Sequence, residues 1–121
     1  MDFSKLQQVK VEIAEDIAWV TMNRPDKRNA MTPQMHEEMI AALAELALAP
    51  EAKALVLTGA GESWSAGQDI HLFFRDLDDK PAAKRRALLA SQEWRWNQLA
   101  HFPKPTIARI HRVPCCIVGC R

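Results

Sequence analysis

"ALVLTGAGESWSAGQDI", residues 54–70, is the stretch on which the reading of this chain turns. Its opening residues form a short, continuous apolar run, the pattern of a strand buried on both faces. Three of the chain's four glycines, Gly59, Gly61 and Gly67, then surround a Ser-Trp-Ser. Glycine is used where the backbone takes a positive φ or passes close to another group. It is also a common turn residue, so the loop is read from what flanks it. The expectation is a buried strand that ends in a loop whose backbone, more than its side chains, meets a ligand.

Upstream, "VKVEIAEDIAWVTMN" predicts two strands joined at Glu15-Asp16, with Val9, Val11 and Ile13 alternating on the first. "RPDKRNAM" breaks the pattern with Pro25 and a cluster of charges and is expected to be a loop. Thr32 followed by Pro33 is an N-cap and first-turn pair. Met35, Met39, Ala42, Leu43 and Leu46 then share one helical stripe, while Glu37, Glu38 and Glu45 lie off it. The helix should end before Pro50. Methionines at this spacing are read as core, not as cofactor contacts. Strand, helix, strand at these separations suggests a βαβ crossover, and hence an α/β chain. The glycine loop then lies at the carboxyl end of the second strand, where open α/β sheets bind ligands.

Downstream, Asp69 is placed to cap a short helix through "IHLFFR". A longer helix is expected from near Pro81 through "AAKRRALLASQEWRWNQLAHF". Leu88, Leu89, Trp96 and Leu99 fall on one face of it, with Trp94 about 160° from Trp96 on a helical wheel. The two tryptophans cannot enter the same core, so one of them meets another element or another subunit. "KPTIARI" is a final strand candidate. No repeat, low-complexity segment or internal domain boundary interrupts the chain.

Composition narrows the function classes. A chain that is 48% hydrophobic and 26% charged is globular, not disordered. A net charge of +1 offers no general attraction to nucleic acid or to an anionic membrane surface. The apolar runs are too short to span a bilayer, and "MDFSKLQQVK" lacks the apolar core of a signal peptide. The expected compartment is the cytoplasm. Cys115, Cys116 and Cys120 crowd one end in odd number, which is not a disulfide framework. With His111 they could make four zinc ligands. However, the clustered spacing lacks two separated pairs, and buried or incidental thiols are the simpler reading, with no metal.

Several phosphate and nucleophile patterns fail at the glycine loop. Trp64 stands where a dinucleotide fingerprint needs its third glycine, and no Lys-Ser/Thr pair follows Gly67. Neither Ser63 nor Ser65 sits in a nucleophile elbow. The Asp69-x-His71 pair and the basic group Lys84, Arg85 and Arg86 read as surface features. What remains is backbone N–H groups, which can hold a developing negative charge without any catalytic side chain. On this reading the glycines turn the chain so that the N–H of Gln68 faces a reacting carbonyl.

"AWVTMNRPDKRNAM", a helix, "ALVLTGAGESWSAGQD" and "FPKPTIA", in that order, resemble the crotonase (enoyl-CoA hydratase/isomerase) superfamily. Within it, "NRPDKRNAM", "TGAGESWSAG" and "SQEWRWNQL" are most similar to the hydroxycinnamoyl-CoA (feruloyl-CoA) hydratase-lyases. The likeness covers residues 9–108. It implies the N-terminal part of the ββα-repeat spiral fold over residues 1–108, incomplete in this chain. It also implies a coenzyme A thioester as substrate, no separate cofactor, and a homotrimer or hexamer if the domain is complete. Two backbone N–H groups of such enzymes grip the thioester oxygen, and the first maps onto Gln68. The resemblance places Ala66 and Ile70 at the neighbouring CoA and acyl pocket, and Lys27 against the nucleotide end of CoA, where a cation suits phosphates.

Two departures from the pattern matter. The hydratase-lyases carry a tyrosine at the aromatic end of the substrate, and this chain has Phe73, which keeps the stacking surface without the hydroxyl. That leaves another enoyl-CoA open as substrate. After Ala108 the family continues into a glycine-rich turn that supplies the second amide, and later into a catalytic glutamate. Here residues 109–121 read "RIHRVPCCIVGCR", like a truncated or frame-shifted terminus. The expectations are an inactive fragment, and a strand at 54–58 left with an unpaired edge. A noncatalytic CoA-binding or subunit-binding chain is the alternative from another class.

Overall fold

A computed structural model describes residues 1–111. Strand β1 (Val9–Ala14) and strand β2 (Ile17–Met22) form an antiparallel hairpin in which Ala14 pairs with Ile17. The two residues between them, Glu15 and Asp16, have φ of 53° and 68°. Positive φ at both central positions is the signature of a two-residue turn whose twist matches the strands.

Helix α1 (Pro33–Leu48) starts where the sequence places it. The Thr32 side chain accepts the Met35 N–H, and Pro33 occupies the first turn, where its missing N–H costs nothing. Met35, Met39, Ala42, Leu43 and Leu46 are all buried, so the stripe is core as read. At the other end, the Lys104 ammonium donates to the carbonyls of Leu46 (2.7 Å) and Ala49, each of which also accepts one backbone N–H. Near the helix start, one carboxylate oxygen of Glu38 accepts the N–H groups of Gln7, Gln8 and Val9, which ties the entry of β1 to α1.

Strand β3 (Ala54–Gly59) pairs parallel with β2 and completes the βαβ crossover. Its last five residues are all buried. Val9, Ala18, Val20, Met22, Leu55 and Leu57 from the sheet meet the α1 stripe in one apolar cluster. Strand β4 (Thr106–Ala108) lies parallel on the far side of β3, giving the order β1-β2-β3-β4. This corrects the expected open edge at 54–58. β3 is central, and the exposed outer strand is β4. Bonding to β3 continues one residue further, where Arg109 N–H donates to Leu57 O.

The segment between β3 and β4 holds the expected short helix and longer helix, with π geometry in the first and at the end of the second. A π-helical turn (Ile70–Arg75) comes first, then α2 (Pro81–Gln92), which runs into a π-helical segment (Glu93–Gln98). The i→i+5 bonds Asp76 N–H to His71 O and Leu99 N–H to Trp94 O mark the two π turns. The helix is also turned the other way from its most apolar face. Ala87, Ala90, Ser91 and Trp94 are buried, whereas Leu88, Leu89 and Trp96 are exposed, Trp96 to 71%. The small residues of the buried face are the ones that pack α2 against α1. Trp94 is therefore the tryptophan that enters the core.

Candidate functional site

Two loops make the site, and each is shaped by the other. The first, Arg24 to Met31, opens with a 3-10 turn (Pro25–Lys27) and then places Arg28 and Asn29 at φ of 52° and 56°. Asn29 is fully buried. Its side-chain oxygen accepts the Arg24 N–H at 2.8 Å, and its amide donates to Ala60 O (2.9 Å) and Ser63 O (2.8 Å) of the glycine loop. The Ser65 hydroxyl donates back to Asn29 O at 2.8 Å and accepts the Gly67 N–H at 3.2 Å. Ser65 is thus a structural clasp, which agrees with excluding it as a nucleophile.

The glycines answer to both of the reasons that call for them. A Cβ on Gly59 would lie 2.4 Å from Trp64 O and 2.8 Å from the Asn29 amide nitrogen, so the close approach admits no side chain. Gly67 has a φ of 92°, a left-handed backbone that other residues rarely adopt.

At the end of this loop Met31 N–H donates to Gly67 O (2.6 Å) and Met31 O accepts Asp69 N–H (2.8 Å). These bonds make a parallel bridge between Met31 and Gln68. In that pattern the residues flanking Gln68 make the contacts, and its own N–H and C=O point away from Met31. Among the described residues the Gln68 N–H donates to no backbone acceptor. Its side chain is held, because the Gln68 Oε1 lies 2.8 Å from His36 Nε2.

Asp69 fastens the other end. One carboxylate oxygen accepts the Leu72 N–H (2.8 Å), as its capping role requires, and the other meets Arg24 Nη1 at 3.2 Å. Both side chains of this pair are largely shielded. Burial raises the Asp69 pKa, but the bonds from Leu72 and Arg24 outweigh it and hold the carboxyl below the usual range. Arg24 Nη1 also donates to Ala30 O, so one guanidinium links the two loops.

The residues singled out from the sequence fall in different surroundings. Ala66 and Gln68 are half-buried on the glycine loop, and Ile70 is exposed where the π turn begins. Lys27 is exposed on the facing loop. Phe73 is buried, 3% exposed, with its ring edge-on to His36 at 5.9 Å and to Phe74 at 5.0 Å. His71 is exposed. Lys84 pairs with Asp78 at 2.8 Å while Arg85 and Arg86 are exposed, as a solvated face requires. His111 Nε2 lies 3.0 Å from Gly61 O. The three cysteines and Gly119 lie outside the described residues. An open groove of about 520 Å³ between α1 and α2, lined by Ile40, Leu89 and Trp96 among others, includes none of the assigned residues.

Sequence reasoning missed Asn29 and His36. Asparagine is the non-glycine residue that best tolerates a left-handed backbone, a usable sign within "RPDKRNAM". His36 sits three residues before Met39 and seven before Leu43, on the apolar stripe, which marks it as a buried polar group in need of partners.

The hairpin, the crossover helix and the glycine loop with its bridged amide make up a ββα unit with a backbone donor at the strand's carboxyl end. The enoyl-CoA hydratase/isomerase family model matches residues 12–113, and the chain belongs to that family, the crotonase superfamily. It is 46% identical to the hydroxycinnamoyl-CoA hydratase-lyase of Pseudomonas fluorescens over 85% of this chain and 38% of that protein. It is 34% identical to enoyl-CoA delta isomerase 2 of Rattus norvegicus over 78% of this chain and 24% of the other. Among solved structures, an enoyl-CoA hydratase/isomerase from Xanthobacter autotrophicus superposes with a TM-score of 0.73 at 28% identity, over 92% of this chain and 40% of that one. The chain thus spans well under half the length of these relatives, and its fold is part of theirs.

Proposed function

We propose that the protein to which this chain contributes holds the coenzyme A thioester of an aromatic enoic acid, adds water across its double bond and cleaves the product. The products are an aromatic aldehyde and acetyl-CoA. The observation that carries the reading is the Met31–Gln68 bridge, which turns the Gln68 N–H away from the facing Met31 loop. An N–H held in this way stabilises negative charge growing on a thioester oxygen without reorganising as the charge develops. Lys27 serves the CoA phosphates, and Ala66 and Ile70 border the thioester. Coenzyme A arrives as part of the substrate, so no separate cofactor is called for. The 46% identity to the Pseudomonas fluorescens hydratase-lyase supports the hydroxycinnamoyl class.

One donor alone makes half of an oxyanion hole, and no residue assigned here supplies the proton transfers. The 121 residues by themselves are therefore expected to release no aldehyde from feruloyl-CoA. The same segment fused to the remaining part of the Pseudomonas fluorescens enzyme should release it. Turnover by the homogeneous 121-residue chain would refute the first statement, and an inactive but folded fusion would refute the second.

A second reading, another enoyl-CoA as substrate, is favoured by Phe73, which lacks a hydroxyl and is packed against His36. Phe73→Tyr in the fusion should raise kcat/KM for 4-hydroxycinnamoyl-CoA relative to cinnamoyl-CoA. An unchanged ratio would show that position 73 does not sense the ring substituent.

A further inference from the structure

His36 is fully buried on the core face of α1, yet both of its ring nitrogens are polar and need partners. The Trp94 indole nitrogen lies 2.9 Å from His36 Nδ1. An indole N–H can only donate, so Nδ1 must be the bare, accepting nitrogen. The hydrogen of the neutral ring is then on Nε2, which donates to Gln68 Oε1 at 2.8 Å. Partner chemistry therefore assigns the tautomer, and a relay runs from Trp94 through His36 to Gln68. It joins the π-helical segment to the end of the glycine loop through the core.

We propose that His36 is a positioning residue: fixed by Trp94 in the Nε2–H form, it holds Gln68, and with it the peptide N–H of the glycine loop, and it gives up that hold in acid. A second ring proton would go on Nδ1 and face the indole N–H, donor against donor, so the ring must leave its place to be charged. The surroundings resist such charging. Burial pushes the His36 pKa below its ordinary value of 6.5, the bond to Gln68 opposes this in part, and the positive charge of Arg95 adds to it. Asp69 on the glycine loop is held by Arg24, and Glu37 on α1 is exposed. Phe73 covers the ring from the π turn. The unfolded chain takes the proton as pH falls through about 6.5, whereas the folded chain takes it only lower. Stability from this group is therefore complete above that value and is lost as pH falls toward the depressed folded one. The relay itself does not depend on the thioester reading; only its consequence for catalysis does.

The test is long-range ¹H–¹⁵N spectroscopy of the full 121-residue chain, without any substrate. At pH 7.5 the His36 ring should show a protonated Nε2 and a bare Nδ1, and the Gln68 backbone amide should shift together with the ring as pH is lowered below about 6.5. A ring protonated at Nδ1, or a Gln68 amide that ignores the ring's titration, overturns the proposal. Trp94→Phe, which removes the indole donor together with part of the buried ring, should allow both tautomers and move the titration upward. His36→Phe should displace the Gln68 amide resonance, and His36→Gln, which keeps a side-chain N–H, should largely restore it. An unmoved resonance in a folded His36→Phe protein also overturns the proposal, and if that variant does not fold, the wild-type titration decides. Because these readouts contain no turnover, failure of the oxyanion reading would be seen separately, in the Gly67 experiment below.

Discussion

Gly67→Val, placed in the fusion with the remaining part of the Pseudomonas fluorescens enzyme, is expected to lower kcat by a factor of about 10²–10³. Gly67 has a φ of 92°, and a β-branched residue cannot occupy that region without strain. Relieving the strain rotates the peptide that joins residue 67 to residue 68, and this peptide carries the N–H assigned to the thioester oxygen. The Gly67 carbonyl, which receives the Met31 N–H at 2.6 Å, belongs to the same peptide, so the bridge that aims the donor is disturbed as well. Loss of one oxyanion donor costs about 3–4 kcal/mol in the transition state, whereas local backbone strain costs about 1–3 kcal/mol of stability. Turnover should therefore suffer more than folding. The measurement is kcat on feruloyl-CoA beside a thermal melt of the same preparation. A folded variant with near-normal turnover would remove Gln68 from the reaction.

Asn29→Ala should lower the unfolding free energy by about 3–5 kcal/mol, from unsatisfied buried groups and a left-handed backbone together. The side chain makes three bonds across 5, 31 and 34 residues of sequence, and alanine leaves Arg24 N–H, Ala60 O and Ser63 O without them. Alanine at a φ of 56° adds strain that asparagine tolerates. The two contributions separate experimentally. Asn29→Gly accepts the backbone angle and loses only the bonds, so it should fall between wild type and alanine. Asn29→Asp keeps the acceptor but turns a carboxylate toward two carbonyls, and it should be at least as harmful as alanine. Urea unfolding of the four proteins gives the order. A loss below about 1 kcal/mol for alanine would mean that the loops hold together without this residue.

Much of the local structure was legible in residue order because its causes are local. The Glu15-Asp16 turn, the Thr32-Pro33 helix start and the Asp69 cap each involve groups within a few residues of one another. The α1 stripe and the buried β3 run follow from helical and strand periodicity, which burial then obeys. Gly67 had to be glycine for its own φ, and that too is a property of one residue.

Residue order did not disclose which side of α2 faces inward. The leucine side has the greater hydropathy, but Ala87, Ala90 and Ser91 lie on the side that packs against α1, and only the packed pair of helices reveals the preference. Nor could it disclose the pairings that shape the site. The Trp94–His36 bond spans 58 residues, His36–Gln68 spans 32 and Asn29–Ser63 spans 34. Each joins polar groups that periodicity reads as isolated, and each has at least one end buried, where water cannot replace the partner. The sequence determined the strands, the helix and the glycine turn. The requirement that buried polar groups find one another across the core decided where the Gln68 amide is held.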